Sequence, residues 1–275
     1  MLRIGIHTSI AGSLAAAAEK AAALGCSAFQ IFSASPRMWS AAKLDPEQVR
    51  LFRSAREKHD LRPLVIHDNY LINLPSADPV IRERSIAAFR GELERAAALG
   101  AEYVVAHPGS SRGQTPQQAI HTFARSLAEA TNGLKFNGLQ LLLENTAGGG
   151  STLGRESTEL LELGRLARAH TDLPIGFCMD TCHCFTAGID FFAMLKALSP
   201  EAVCVIHCND SRASFGSRLD RHEHIGKGGI GAEGFRRILC DRRLRDKAFI
   251  LETPIDKPGD DRRNVRTLKA LSKTR

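Results

Sequence analysis

Eight short apolar runs, each followed by a longer stretch of helical period, constrain this chain more than any other feature. They cover residues 2–7, 28–32, 63–67, 102–107, 139–144, 175–180, 203–207 and 248–252. Several are apolar at successive positions instead of alternating, the pattern of parallel strands covered on both faces. The intervening stretches carry helix signals. Over 44–59, Asp45 is placed to cap, Pro46 suits the first helical position, Gln48 can complete a capping box, and Leu44 with Val49 can staple the entry. Over 85–99, Ile86, Phe89 and Leu93 fall on one stripe, and Gly100 is a helix stop. The string Ala-Ala-Ala-Leu-Gly occurs at 21–25 and again at 96–100, each time before an apolar run. This alternation predicts an α/β chain folded as a single (β/α)8 TIM barrel over 1–275, a fold for which about 250 residues is typical. A doubly wound open sheet is disfavoured, because no Gly-x-Gly-x-x-Gly follows the first run.

The ends of the runs carry the chemistry. Six in succession finish on a side chain able to bind a metal: His67, His107, Glu144, Asp180, His207 and Glu252. Parallel barrel strands all end on one face, where such folds build their active sites. One polar residue closing an apolar strand is ordinary; six in a row point to a built site. His183 follows Asp180 by three residues, and Asp220 and His222 lie in the long connection after His207. If that connection is extended, the latter two turn to the same side. Five imidazoles and four carboxylates exceed what one tetrahedral zinc needs and suggest two or three ions. Three dications against four carboxylates leave a net positive site, suited to an anionic phosphodiester and to the extra charge of its transition state.

Bulk properties bound the reading without deciding it. The formal net charge of +7 fits a polyanionic partner. No apolar run approaches the ~18 residues of a membrane span, and residues 1–7 read as a strand, not a signal peptide. The seven cysteines, several inside apolar runs, read as buried reduced thiols of a cytoplasmic protein. Cys182 and Cys184 lack the CxxC spacing of a redox or zinc-ribbon pair.

Longer strings surround these residues: His67-Asp68-Asn69-Tyr70-Leu71-Ile72-Asn73-Leu74, Ala106-His107-Pro108-Gly109-Ser110, Leu143-Glu144-Asn145-Thr146-Ala147-Gly148, Asp180-Thr181-Cys182-His183, Ile206-His207-Cys208-Asn209-Asp210, Gly216-Ser217-Arg218-Leu219-Asp220-Arg221-His222 and Leu251-Glu252-Thr253. In order and completeness they resemble the endonuclease IV (deoxyribonuclease IV) family of apurinic/apyrimidinic-site endonucleases, essentially from end to end. The resemblance implies a xylose-isomerase-like barrel with three zinc ions, manganese being an alternative at one site. By that pattern His67, His107 and Glu144 hold the first ion. Glu144 bridges to the second, completed by Asp180, His207 and Glu252, and His183, Asp220 and His222 hold the third. The implied reaction, in base excision repair, hydrolyses the phosphodiester 5′ to an abasic site. It leaves a 3′-hydroxyl and a 5′-deoxyribose phosphate, with Glu144 orienting the nucleophile and accepting its proton. The implied partner is double-stranded DNA carrying abasic sites or blocked 3′ ends, whose ends the enzyme would also clean, with no membrane and one chain sufficing.

An abasic nucleotide has lost its stacking, so extruding it costs less than flipping an intact base. The family inserts side chains into the vacated stack, and the matching positions are Arg37, Tyr70 and Leu71. Trp39 reads as local packing. His7, at the end of the first run, is either support for the ligands or a plain polar strand end. Two departures stand out: Ser33-Ala34-Ser35-Pro36 lacks the lysine and asparagine of the family loop, and Ile189 replaces a frequent tyrosine. Two other classes compete. A sugar isomerase or epimerase on the same barrel also uses strand-end ligands, but usually needs only one or two ions. A non-enzymatic DNA-binding protein is supported by net charge alone and leaves the nine ligands unexplained.

Overall fold

A computed structural model describes residues 2–273. Its elements run β1 (Arg3–His7), α1 (Leu14–Ala23), β2 (Ala28–Phe32), α2 (Pro46–Lys58), β3 (Leu64–His67), α3 (Pro79–Leu99), β4 (Tyr103–Ala106), α4 (Pro116–Thr131), β5 (Gln140–Glu144) and α5 (Ser157–His170). Then follow β6 (Ile175–Asp180), α6 (Thr181–Ala187), α7 (Phe191–Leu198), β7 (Val203–His207), the short β8 (Asp210–Ser211) and β9 (His222–Glu223), α8 (Gly231–Cys240), β10 (Ala248–Leu251) and α9 (Asp260–Leu271). Eight of these strands close into a barrel in the order β1-β10-β7-β6-β5-β4-β3-β2, all neighbours parallel. The α/β alternation read in the sequence is therefore a (β/α)8 barrel.

Successive side chains of a strand point to opposite faces, and the core divides accordingly. Leu64, Ile66, Val104, Leu141, Leu143, Phe177 and Ile206 face outward into the large core beneath the helices. Val65, Val105, Leu142, Cys178, Val205 and Ala248 face the barrel interior, where they form a separate small cluster. The outer layer is closed by contacts such as Phe52 of α2 against Phe29 of β2, ring centroids 5.8 Å apart and both fully buried. Truncating either to alanine should cost about 3–5 kcal/mol.

The helix signals hold with local corrections. Asp45 caps α2, accepting from the Glu47 amide 3.0 Å away. The reciprocal capping box expected with Gln48 forms instead at α4, between Thr115 and Gln118. The third helix begins at Pro79, not at 85, because Asp78-Pro79 repeats the cap-plus-proline signal of Asp45-Pro46. Gly100 ends it in the left-handed region at φ 71°. Two helices, α6 and α7, fill the connection after β6, and the connection after β7 contains the antiparallel β8–β9 pair. The strands β4 and β10 end one residue before His107 and Glu252. Prolines 108 and 254 follow closely, and a residue without an N–H cannot extend the ladder. None of the described helices is long and apolar enough to cross a membrane.

Candidate metal centre

The two-residue period decides where the polar strand ends point. Each lies two positions beyond an inward-facing residue: His67 after Val65, His107 after Val105, Glu144 after Leu142, Asp180 after Cys178, His207 after Val205, and Glu252 after Ile250. All six therefore turn into the barrel axis at its C-terminal end. His183 arrives on the first turn of α6, whose N-cap is Asp180 itself: its carboxylate accepts from the His183 amide at 2.8 Å. Asp220 and His222 come from the β7–α8 connection.

These nine side chains gather into three adjoining groups, within each of which the candidate ligand atoms lie within 4.8 Å of one another: His67, His107 and Glu144; Glu144, Asp180, His207 and Glu252; and His183, Asp220 and His222. Glu144 belongs to two groups. Its Oε2 lies 3.3 Å from Nε2 of both His67 and His107, while its Oε1 lies 3.0 Å from Nδ1 of His207. In the third group Asp220 sits 3.2 Å from both His183 and His222. Cys178 and Cys182 come close to the second and third groups, a proximity that neither the apolar run around Cys178 nor the Cys182-x-Cys184 spacing disclosed.

Each of four imidazoles has one nitrogen tied outward and the other turned inward. His67 Nδ1 meets the Asp68 carbonyl at 2.9 Å, His183 Nδ1 the Asn145 carbonyl at 2.8 Å, and His222 Nδ1 the Glu252 carbonyl at 3.0 Å. His207 is tied through Nε2 at 2.8 Å to Gln30. Such outer bonds fix the tautomer and aim the free nitrogen, as metal-binding histidines require. The inward Nε2 of His222 is buried without a well-formed hydrogen bond, 3.2 Å from Asp220 Oδ1 and 3.8 Å from Asp180 Oδ2, an arrangement of imidazole and carboxylates that a cation would satisfy. A donor set of imidazole nitrogens and carboxylate oxygens, with no competing ammonium among them, fits zinc.

Protonation is arranged to suit. Burial would push the Glu144 carboxyl up, but His207, His107 and His183 hold it well below the usual range, so it stays ionised. Burial brings His107 down to about 4, leaving it neutral. Burial also opposes charge on His67 and His222, but Glu144 raises the first to about 10 and Asp220 the second to about 9. In the metal-free protein these two imidazoles therefore hold protons where an ion would otherwise sit.

Further residues fix the candidate ligands. Asn209 donates to Asp180 at 2.6 Å and accepts from the Glu252 amide at 2.8 Å. Asn145 accepts from the Asp180 amide at 2.7 Å. Buried Asp210 accepts from the amides of Gly226, Gly228 and Ile230 at 2.9–3.0 Å, folding the β7–α8 connection back on itself. Gly228 is required there, since a Cβ would lie 2.3 Å from the Ser211 carbonyl oxygen. Asn145, Asn209 and Asp210 stand in the strings quoted from the sequence, but their supporting roles were not legible. Gln30 was missed altogether, although it is the one polar residue of its apolar run.

The rim carries the remaining candidates. The loops after β2 and β3 are knitted together, Tyr70 N to the Pro36 carbonyl at 3.2 Å and Asn69 Nδ2 to the Met38 carbonyl at 3.0 Å. Exposed Arg37, exposed Tyr70 and half-buried Leu71 thus sit on one stretch of rim. Tyr70 is 67% exposed yet packs edge-on against Phe32 at 5.2 Å. Trp39 is half-buried in the same loop. The departing loop residue Ser33 turns inward, bonding Glu92 and Arg95 of α3. His7 lies 3.7 Å from Glu252 and 3.0 Å from Gln30, which makes it part of the support and not a plain strand end. Sequence reasoning missed the exposed Met38, Leu219 and Ile255 on the same face. Outward from the site runs a groove of about 910 Å³, lined among others by Tyr70, Asn73, His107, Ser110, Arg112 and Asp220.

Comparison with known proteins agrees with this fold. Residues 18–273 match a family model described as a xylose isomerase-like TIM barrel. The chain is 55% identical to "Probable endonuclease 4" of Solibacter usitatus, over 98% of this chain and 97% of that one. It superposes on the crystal structure of endonuclease IV from Thermus thermophilus with a TM-score of 0.85 at 43% identity, covering 98% of each. A D-tagatose 3-epimerase-like protein shares the fold alone, with a TM-score of 0.72 at 21% identity, covering 97% of this chain and 96% of that one. With sequence likeness running the length of the chain and the strand-end acids and histidines gathered at one mouth, the protein belongs to the endonuclease IV family of xylose isomerase-like TIM barrels.

Proposed function

We propose that this protein is a zinc-dependent apurinic/apyrimidinic endonuclease that hydrolyses the phosphodiester 5′ to an abasic site in double-stranded DNA. The products are a 3′-hydroxyl and a 5′-deoxyribose phosphate, and the same hydrolysis would clear blocked 3′ ends. The observation that carries the reading is the sharing of Glu144 between two ligand groups, with a third group alongside. A sugar isomerase needs one or two ions and a base for carbon-bound protons. Three adjoining groups with a net positive balance suit phosphate.

In this reading His67, His107 and Glu144 hold a first zinc, Glu144, Asp180, His207 and Glu252 a second, and His183, Asp220 and His222 a third, where manganese can substitute at one position. Bound there, the ions supply Lewis acidity, lower the pKa of water from ~15.7 toward ~7 and stabilise the leaving oxygen. Ionised Glu144 would orient the attacking water and accept its proton. Arg37, Tyr70 and Leu71, together on one stretch of rim, would fill the gap left by the lost base. The exposed apolar side chains Met38 and Ile255 extend that wedge around the mouth. A base-less sugar enters because its extrusion breaks no stacking. One chain suffices for all of this, so a monomer is expected. Six buried or half-buried cysteine thiols fit a reducing compartment such as the cytoplasm.

The test is incision of a duplex carrying one tetrahydrofuran abasic analogue, beside an undamaged duplex, with zinc-loaded protein. The analogue cannot undergo β-elimination, so a cut 5′ to it that leaves a polymerase-extendable end is hydrolytic. No cut, with zinc verified in the protein, would refute the reading and redirect the search to small carbohydrates.

A further inference from the structure

One polar side chain inside the barrel stands outside every ligand group. Gln30 lies mid-strand in β2 among Ala28, Phe29, Ile31 and Phe32 and has no solvent exposure. Burying an amide without hydrogen bonds costs roughly 2–7 kcal/mol, so such a residue is tolerated only where both of its ends are satisfied. Its neighbours in the ladder are His7 on β1 and Val65 on β3, which places it on the inward face, level with the base of the site.

Both ends are used, and on two ligands of the same group. The Gln30 carbonyl Oε1 lies 2.8 Å from His207 Nε2, and its Nε2 lies 2.5 Å from Glu252 Oε1 and 3.0 Å from His7 Nδ1. The chemistry fixes the orientation of the amide. An ionised carboxylate only accepts, so the NH2 faces Glu252 and the oxygen is left for His207. His207 must then donate from Nε2, which leaves its lone pair on Nδ1, 3.0 Å from Glu144 Oε1 and 3.3 Å from Glu252 Oε2. The second hydrogen of the amide goes to His7 Nδ1, which ties His7 to the same support.

We propose that Gln30 is the positioning residue of the second metal site. From a strand that offers no ligand, one amide sets the His207 tautomer by accepting and steadies Glu252 by donating. The inference rests on the reading in which Glu144, Asp180, His207 and Glu252 share an ion. Neither obvious replacement can do both jobs. Leucine has the bulk but orphans His207 Nε2 and frees Glu252. Glutamate keeps an acceptor for His207 but sets a second carboxylate against Glu252.

The experiment compares full-length parent, Gln30→Leu, Gln30→Glu and His207→Ala. Each is dialysed against buffers of fixed free zinc, zinc per chain is measured, and tetrahydrofuran-duplex incision is assayed at every point. Outer supports of metal ligands are typically worth 10–100-fold in affinity. In Gln30→Leu one zinc equivalent should therefore leave at roughly 10–100-fold higher free zinc than in the parent, the other equivalents staying in place. Incision should follow that equivalent and recover when zinc is raised. Gln30→Glu should shift in the same direction and decides the matter if the leucine variant does not fold. Zinc isotherms identical to the parent in a folded Gln30 variant, while His207→Ala releases an equivalent, would overturn the role of Gln30. Full zinc retention by His207→Ala would instead remove the second ligand group itself, and the proposal with it.

Discussion

Glu144→Gln separates chemistry from binding most sharply. The side chain is 1% exposed, and its two oxygens are flanked by four imidazoles, those of His67, His107, His183 and His207, at 3.0–3.4 Å. Glutamine keeps the shape but replaces one of those oxygens by an NH2 that can neither accept a proton nor bind a cation, and it removes the charge. Removing one partner from a buried charged cluster costs about 3–5 kcal/mol. If that loss is felt in the transition state, at 1.36 kcal/mol per decade it corresponds to a roughly 150- to 5000-fold slower turnover. Affinity for damaged DNA should be nearly unchanged, because Arg37, Tyr70 and Leu71 lie on the rim and the site becomes more positive. The assay is single-turnover incision of a tetrahydrofuran duplex at saturating zinc-loaded protein, with binding followed by fluorescence anisotropy on the same duplex. Turnover within a few-fold of the parent would refute Glu144 as the group shared by two ions and by the reacting water.

Three further outcomes are expected. Arg37→Ala should weaken binding to abasic duplex roughly tenfold, a loss of about 1.4 kcal/mol, with zinc content intact; zinc loss would mean the residue supports the ligands instead of the DNA. Asp210→Ala strips several half-buried amides of their acceptor and should destabilise the fold by about 1–3 kcal/mol, releasing the His222 end of the site first; an unchanged denaturation midpoint would show that water satisfies those amides. The metal-free protein should lose stability as pH rises from about 7 to about 10. His67 and His222 have folded pKa values raised to about 10 and about 9, so the stability they contribute is complete below about 6.5 and is lost as pH rises through the folded values. With zinc bound those imidazoles are already deprotonated, so the melting temperature of the loaded protein should decline less; parallel pH profiles with and without zinc would count against it.

The clustering of the strand-end candidates was legible because two simple periods coincide. A parallel barrel aligns its strand ends on one face, and the alternation along each strand turns the residue two beyond an interior valine or leucine into the axis. His67 after Val65 and Glu144 after Leu142 could thus be placed from the residues alone. What the sequence concealed depends on chain reversals that no period governs. Asp220 and His222 meet because Asp210 gathers amides from residues 226–231, far along the chain, and because β8 and β9 pair across the intervening loop. No local signal announces that pairing. Gln30 illustrates the opposite case. Its signal was present, a lone amide in a strand apolar on both faces, but an amide is not a metal ligand and falls outside any pattern of ligands. Because a fully buried amide is costly unless bonded at both ends, a polar residue that breaks an interior strand should be sought as support for a site even when it cannot belong to one. Here that rule leads from β2 across the barrel to the imidazole of His207 and the carboxylate of Glu252, two candidate ligands whose aim their own strands do not fix alone.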